Sequence, residues 1–184
     1  MAALRLIVGL GNPGAEHLRT RHNAGFWFID ALAQREGARF GFENKLHAET
    51  AKVVLDGQTL WLLKPTTFMN KSGIAIASAL RYWKIEPEEM LVAHDDLDLP
   101  PGAARLKFDG GHGGQNGLRD IFAHLVTASS TGCAWALAIR DTRIVLRRGC
   151  SVARALRMRK RSSALSARRS MCCRWSWTVN STRQ

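Results

Sequence analysis

Two polar clusters in this 184-residue chain carry side chains suited to acid–base chemistry. One, Thr20-Arg-His-Asn-Ala-Gly25, places His22 where a loop meets a helical pattern. The other, His94-Asp-Asp-Leu-Asp-Leu-Pro-Pro-Gly102, follows a short apolar run, so its carboxylates fall at the carboxyl end of a strand, where α/β folds commonly build their sites. A carboxylate within reach of an imidazole fixes the ring's tautomer and favours its protonated form, which suits a general base near neutral pH. A lone histidine or a lone acidic turn is more often structural, so neither cluster alone establishes a site. Two further motifs, Thr67-Phe-Met-Asn-Lys-Ser-Gly73 and Gly110-Gly-His-Gly-Gly-Gln-Asn-Gly117, put Asn70 and Asn116 near helix starts. There an asparagine either caps the helix or offers an amide that orients water or stabilises an oxyanion. The glycines of the second motif permit close approach of a ligand backbone.

Two other chemistries fit less well. The loop Gly9-Leu-Gly-Asn-Pro-Gly14 matches the dinucleotide pattern G-x-G-x-x-G. However, Pro13 and the charges at Glu16, Arg19 and Arg21 do not suit a helix packed tightly on a sheet, and Asp30 falls inside a helical pattern. A metal set of His94, Asp95, Asp96 and His112 is conceivable but matches no specific ligand spacing.

The elements that must hold these residues follow from apolar spacing. Leu4 to Leu10 is a continuous apolar run, the pattern of a strand buried on both faces. From about Asn23, the residues Phe26, Phe28, Ile29, Leu32 and Ala33 recur at helical spacing until Gly37 stops them. Strands at Ala51 to Leu55 and Leu60 to Leu63 flank Asp56-Gly57, a hairpin signal, and Pro65 ends the second strand. Ser72 to Trp83 reads as a helix, Met90 to Ala93 as a short buried strand, Ala104 to Phe108 as another strand, and Gln115 to Leu125 as a third helix. Strands alternating with helices predict an α/β layer fold around a mixed sheet. No run of 18 apolar residues exists to span a membrane, and Gly11, Asn12 and Pro13 interrupt the N-terminal apolar stretch too early for a signal peptide. A cytoplasmic protein is expected, most simply a monomer.

Composition divides the chain near Leu125. Before it, 14 basic residues balance 14 acidic ones; the remaining 59 residues hold 13 basic residues, one acid (Asp141) and all four cysteines. The net charge of +12 therefore belongs to the tail, which sustains no apolar period beyond a few residues. The domain reading is a catalytic α/β unit over 1–125 and an aberrant or disordered basic tail over 126–184. Neither a disulfide framework nor a metal site is read from the tail cysteines. A one-base slip in the coding frame accounts for the change. Permitted codons for the start of the tail, read one base earlier, yield GDSFHRLRVGLGHPG, and further on VLGR and VLPLVVDGEFNEA, which have the strand and helix patterns of a globular protein.

The motifs GLGNPG, TRHNAG, KPTTFMNKSG, HDDLDLPPG and GGHGGQNGLRD, in this order from about Leu4 to Leu125, closely resemble the bacterial-type peptidyl-tRNA hydrolases. The re-read tail continues the resemblance through RVGLGHPG and VLGR. The resemblance implies a single-domain mixed β-sheet flanked by helices on both faces. It also implies an enzyme that cleaves the ester between a peptide and tRNA without metal or cofactor. His22 would be the general base, with Asp95 orienting and polarising it. Asn70 and Asn116 would position the carbonyl and the water, and Asn12 would contact the peptide. His17, Phe68 and Lys107 complete the substrate-binding set, Lys107 matching a basic residue that clamps a tRNA phosphate.

Some positions depart from the family pattern. His17 stands where the family usually has Tyr, and Gln115 replaces a frequent His, keeping hydrogen bonding but not a proton to give. The arginine partner of Lys107 and a strand of the main sheet would lie in the HRLR segment that only the restored frame contains. The chain as given is therefore expected to leave a long sheet edge unpaired and to be poorly stable. A non-catalytic RNA-binding protein with a basic disordered tail is the alternative from another class.

Overall fold

The computed structural model describes residues 3–55, 57–100, 103–108, 111–126 and 135–140. The first strand, β1 (Leu6–Gly9), is buried at every position because parallel strands flank it on both sides, which is why its sequence is continuously apolar rather than alternating. Helix α1 (Ala24–Arg35) turns Phe28, Ile29, Leu32 and Ala33 inward and stops just before Gly37, whose φ of 67° suits glycine. Strands β2 (Gly41–Glu43), β3 (Ala48–Leu55) and β4 (Gln58–Pro65) form an antiparallel meander. Leu55 pairs with Gln58, the hairpin pairing that the Asp56-Gly57 dipeptide predicts, although Asp56 itself lies outside the described residues. Helix α2 (Ser72–Trp83), strands β5 (Met90–Asp95) and β6 (Ala104–Phe108), helix α3 (Asn116–Val126) and strand β7 (Trp135–Ile139) follow.

The strands form one mixed sheet in the order β2-β3-β4-β1-β5-β7-β6, with β1, β4, β5 and β7 mutually parallel. Helix α1 covers one face with Ile7, Leu62 and Leu91 beneath it. Helices α2 and α3 cover the other, over Leu6, Val8, Leu63, Met90 and Val92. The expected architecture therefore holds, with helices on both faces. Burying each of these large side chains contributes about 1.5–3 kcal/mol, so the two-sided core dominates the favourable side of folding. One ionic tie fixes the meander to α1. Lys64 on β4 contacts Asp30 at 2.9 Å and Glu49 at 2.8 Å, and its ammonium lies 4.2 Å from the Phe40 ring centroid. Burial opposes its charge, but the two carboxylates more than offset that and raise its pKa.

Three features differ from the sequence reading. Strand β2 is short and largely exposed, with no apolar alternation to announce it. Strand β5 runs two residues further than its apolar stretch, so His94 and Asp95 are strand residues rather than loop residues. The third concerns the tail. Trp135–Ile139 inserts between β5 and β6, parallel to one and antiparallel to the other, so the expected unpaired edge on β5 does not occur. A short run of apolar residues, two of them alanines, fills the slot, with Ala138 and Ile139 buried. The rest of the reading for 126–184, including residues 127–134 and 141–184, lies outside the described residues. Among the described residues, no helix is long and apolar enough to cross a membrane.

Candidate active site

The site forms where β1 and β5 end side by side. The loop after β1 brings Asn12, the last residue of β5 is Asp95, and a short 3-10 turn (Arg21–Asn23) delivers His22 at the entry to α1. Close approach of backbones makes this possible. A Cβ on Gly25 would sit 2.3 Å from the Ala93 carbonyl oxygen and 2.4 Å from the Leu10 nitrogen, and one on Gly9 would sit 2.4 Å from the Gly25 carbonyl oxygen. Glycine at both positions lets the first turn of α1 lie directly over the β1–β5 seam.

His22 Nδ1 lies 2.7 Å from Asp95 Oδ2. The carboxylate is buried, at 7% exposure, whereas the imidazole is 62% exposed. Asp95 therefore orders the ring from below, and its acceptor oxygen places the proton on Nδ1, leaving the Nε2 lone pair toward the open side. The other carboxylate oxygen accepts a hydrogen bond from Gln115 Nε2 at 3.1 Å. Behind the pair, His94 is buried and its Nδ1–H donates to the Asp95 carbonyl at 2.7 Å. Burial lowers its pKa, only partly opposed by that hydrogen bond, so His94 is a neutral ring at neutral pH.

The asparagines are oriented by their own partners. Asn12 Oδ1 accepts the Met69 N–H at 2.8 Å, so its NH2 group remains as a donor at the cavity wall. Asn116 Oδ1 accepts from the Arg119 guanidinium and likewise presents its NH2. Asn23, just after His22, is 1% exposed, accepts the Asn12 N–H at 2.8 Å and donates to the Asn12 carbonyl at 3.0 Å. These contacts close into a circuit, running from His22 through Asp95, Gln115, Met69 and Asn12 to Asn23, the chain neighbour of His22.

A cavity of about 700 Å³ opens from this circuit toward β6 and α3. Of the residues singled out from the sequence, Asn12, His22, Asp95, Lys107 and Asn116 line it. Asn70, Phe68 and His17 do not. Asn70 lies exposed in the 3-10 turn Met69–Lys71, Phe68 is exposed at the start of that turn, and His17 lies in another turn with its Nε2 3.7 Å from Glu16. Neither asparagine acts as a helix cap. The backbone N–H of Gly73 in α2 is held by Asp120 of α3 at 2.7 Å, and Gln115 accepts the Leu118 N–H of α3 at 2.8 Å. Sequence reasoning missed Asn23 and the link from Gln115 to Asp95. The only signal for Asn23 was a polar residue ahead of an apolar helix, which reads as a cap, a role it does not take. Among the described residues, no group of three or more His, Cys, Asp or Glu side chains is placed to hold a metal ion.

A mixed α/β sheet with helices on both faces, carrying a histidine–carboxylate pair where parallel strands end, defines the class. Within that class the chain belongs to the peptidyl-tRNA hydrolase family, whose family model matches residues 6–131. It is 73% identical over 120 residues to a peptidyl-tRNA hydrolase of Xanthomonas campestris pv. campestris, a match covering 65% of this chain and 62% of that protein. A peptidyl-tRNA hydrolase of Stenotrophomonas maltophilia is 72% identical over the same shares. The chain thus spans somewhat under two thirds of the length of the curated relatives it matches. The crystal structure of peptidyl-tRNA hydrolase from Acinetobacter baumannii superposes with a TM-score of 0.70 at 43% identity, covering 77% of this chain and 71% of that one.

Proposed function

We propose that this chain hydrolyses the ester joining a peptide to the terminal ribose of tRNA, a role in translation in the cytoplasm that needs no metal ion. The observation that carries this reading is the 2.7 Å contact between His22 and the buried Asp95, inside a family of that activity. His22 Nε2 takes a proton from water, and Asp95 holds the ring and stabilises the imidazolium that forms. The attacking oxygen converts the ester carbonyl into an oxyanion, which the Asn116 NH2 group is oriented to meet as a donor. Asn12 offers its NH2 to the peptide, and Asn70, Phe68 and His17 complete the substrate contacts from outside the cavity. Lys107, exposed on β6, holds a tRNA phosphate. An ester is a labile bond, so general-base activation worth about 10²–10⁴-fold, together with oxyanion stabilisation, suffices without a covalent intermediate.

The test is hydrolysis of an N-acetylated aminoacyl-tRNA in chelator by this chain, by its His22→Ala variant, and by a version with the reading frame restored after Leu125. Turnover that His22→Ala abolishes, with tRNA binding retained, supports the reading. Binding indifferent to His22→Ala, without turnover by either the parent or the restored version, would instead support a non-catalytic RNA-binding protein.

A further inference from the structure

Gln115 makes contacts that a helix cap alone does not require. Its Oε1 accepts the Leu118 N–H at 2.8 Å, and its Nε2 lies 3.1 Å from Asp95 Oδ1 and 3.3 Å from Met69 Sδ. The amide cannot be turned over. Exchanging oxygen and nitrogen would set an NH2 against the Leu118 N–H and a carbonyl oxygen against the Asp95 carboxylate, two repulsions in place of two hydrogen bonds. Both amide hydrogens are also committed, one to Asp95 and one to the thioether, so none is left for a substrate. We propose that Gln115 is a positioning residue for the His22–Asp95 pair, acting through Asp95. The start of α3 fixes the amide, and the amide presents Asp95 with a donor whose charge does not change with pH.

The inference rests on the hydrolase reading for its consequence in catalysis, but not for its geometry. Asp95 Oδ1 keeps one donor at every pH because a carboxamide does not titrate. The acid limb of the rate profile then reflects the histidine–carboxylate pair without a second ionisation from position 115. The other ionisable groups lining the same cavity are His94 of β5, Asp96 and Asp98 of the following loop, Arg105 and Lys107 of β6, and His112 of the glycine-rich loop. All of them are unchanged by substitution at 115.

Gln115→Glu separates the two roles. A glutamate still accepts the Leu118 N–H, so the cap survives, but it replaces the donor on Asp95 with a like charge. Two carboxylates at that spacing take up a proton between them at higher pH than Asp95 does alone, which adds a second ionisation to the site. The expected result is a kcat/KM profile whose acid limb moves up by about one pH unit, and a plateau at least about tenfold lower. The His22 ring titration, read by NMR and assigned by its loss in His22→Ala, should move in the same direction. Gln115→Met removes cap and donor without adding charge; it should lower thermal stability and the plateau but leave no second ionisation. If Gln115→Glu leaves both the rate profile and the His22 titration where the parent has them, Gln115 is a cap only and the inference fails. If no variant hydrolyses the ester but the His22 titration still moves in Gln115→Glu, the positioning role stands and the hydrolase reading fails.

Discussion

Gly25→Ala gives the sharpest test of how the site is held, because two known effects oppose each other there. Gly25 lies in the first turn of α1, and its φ is outside the left-handed region, so helix propensity alone favours alanine by about 1 kcal/mol. The new Cβ, however, would meet the Ala93 carbonyl oxygen at 2.3 Å, the Leu10 nitrogen at 2.4 Å and the Leu10 carbonyl oxygen at 2.6 Å. All three are backbone atoms of β5 and the loop that follows β1, so no side chain can swing aside. Reaching ordinary contact near 3.4 Å requires the start of α1 to retreat by roughly 1 Å from a close-packed seam. Overpacking of this kind costs about 1–3 kcal/mol, at its upper end about 2 kcal/mol more than the propensity gain, and should lower Tm by about 4–8 °C. His22 immediately precedes this turn, so its 2.7 Å contact with Asp95 stretches, and a displacement of about 1 Å at a reacting group costs on the order of 10²-fold in rate. Thermal unfolding followed by circular dichroism, together with single-turnover ester hydrolysis, measures both. A variant as stable as its parent and within about threefold of its rate would show that the β1–α1 seam yields easily, and the account of how His22 is positioned would be wrong.

Two further outcomes follow from single residues. Lys107→Ala should weaken kcat/KM with little change in kcat. It should also reduce the slope of log kcat/KM against log salt by about 0.7–0.9, the signature of one lost phosphate contact; an unchanged slope would place the phosphate elsewhere. His94 is held neutral by burial, whereas in the unfolded chain its pKa is near 6.5. The unfolded state therefore binds more protons, and folding stability should fall as the pH drops through 6.5 toward the lower folded value. Denaturant midpoints between pH 7 and pH 5 should show less of this loss in His94→Gln than in the parent.

Much of the scaffold was legible because it is written in local apolar spacing. The helix read from Ser72 to Trp83 forms over those residues, and β3 and β4 pair as the hairpin that the Asp56-Gly57 dipeptide predicts, with Leu55 opposite Gln58. Strand β2 was not legible, because its exposed residues owe their conformation to pairing with β3. Nor was β7, whose slot is defined by β5 and β6 rather than by its own sequence. The site divides in the same way. The carboxylates could be placed at a strand end from residue type and spacing, whereas the pairing of Asp95 with His22 came only through the family resemblance. The contacts of Asn23 and Gln115 could not be read from spacing, because each is defined by a partner distant in sequence, the Asn12 backbone in one case and the Asp95 carboxylate in the other.

The closed circuit from His22 round to Asn23 has a thermodynamic corollary. A loop of mutually dependent contacts loses most of its rigidity at the first break, whichever member is removed. Substitutions at Asn12, Asn23 and Gln115 are then energetically coupled, and a double variant should be less impaired than the product of its single effects. Epistasis of this kind makes the site brittle to one change and comparatively indifferent to a second. A lineage that had already altered one member could drift at the others at little further cost to the geometry of His22.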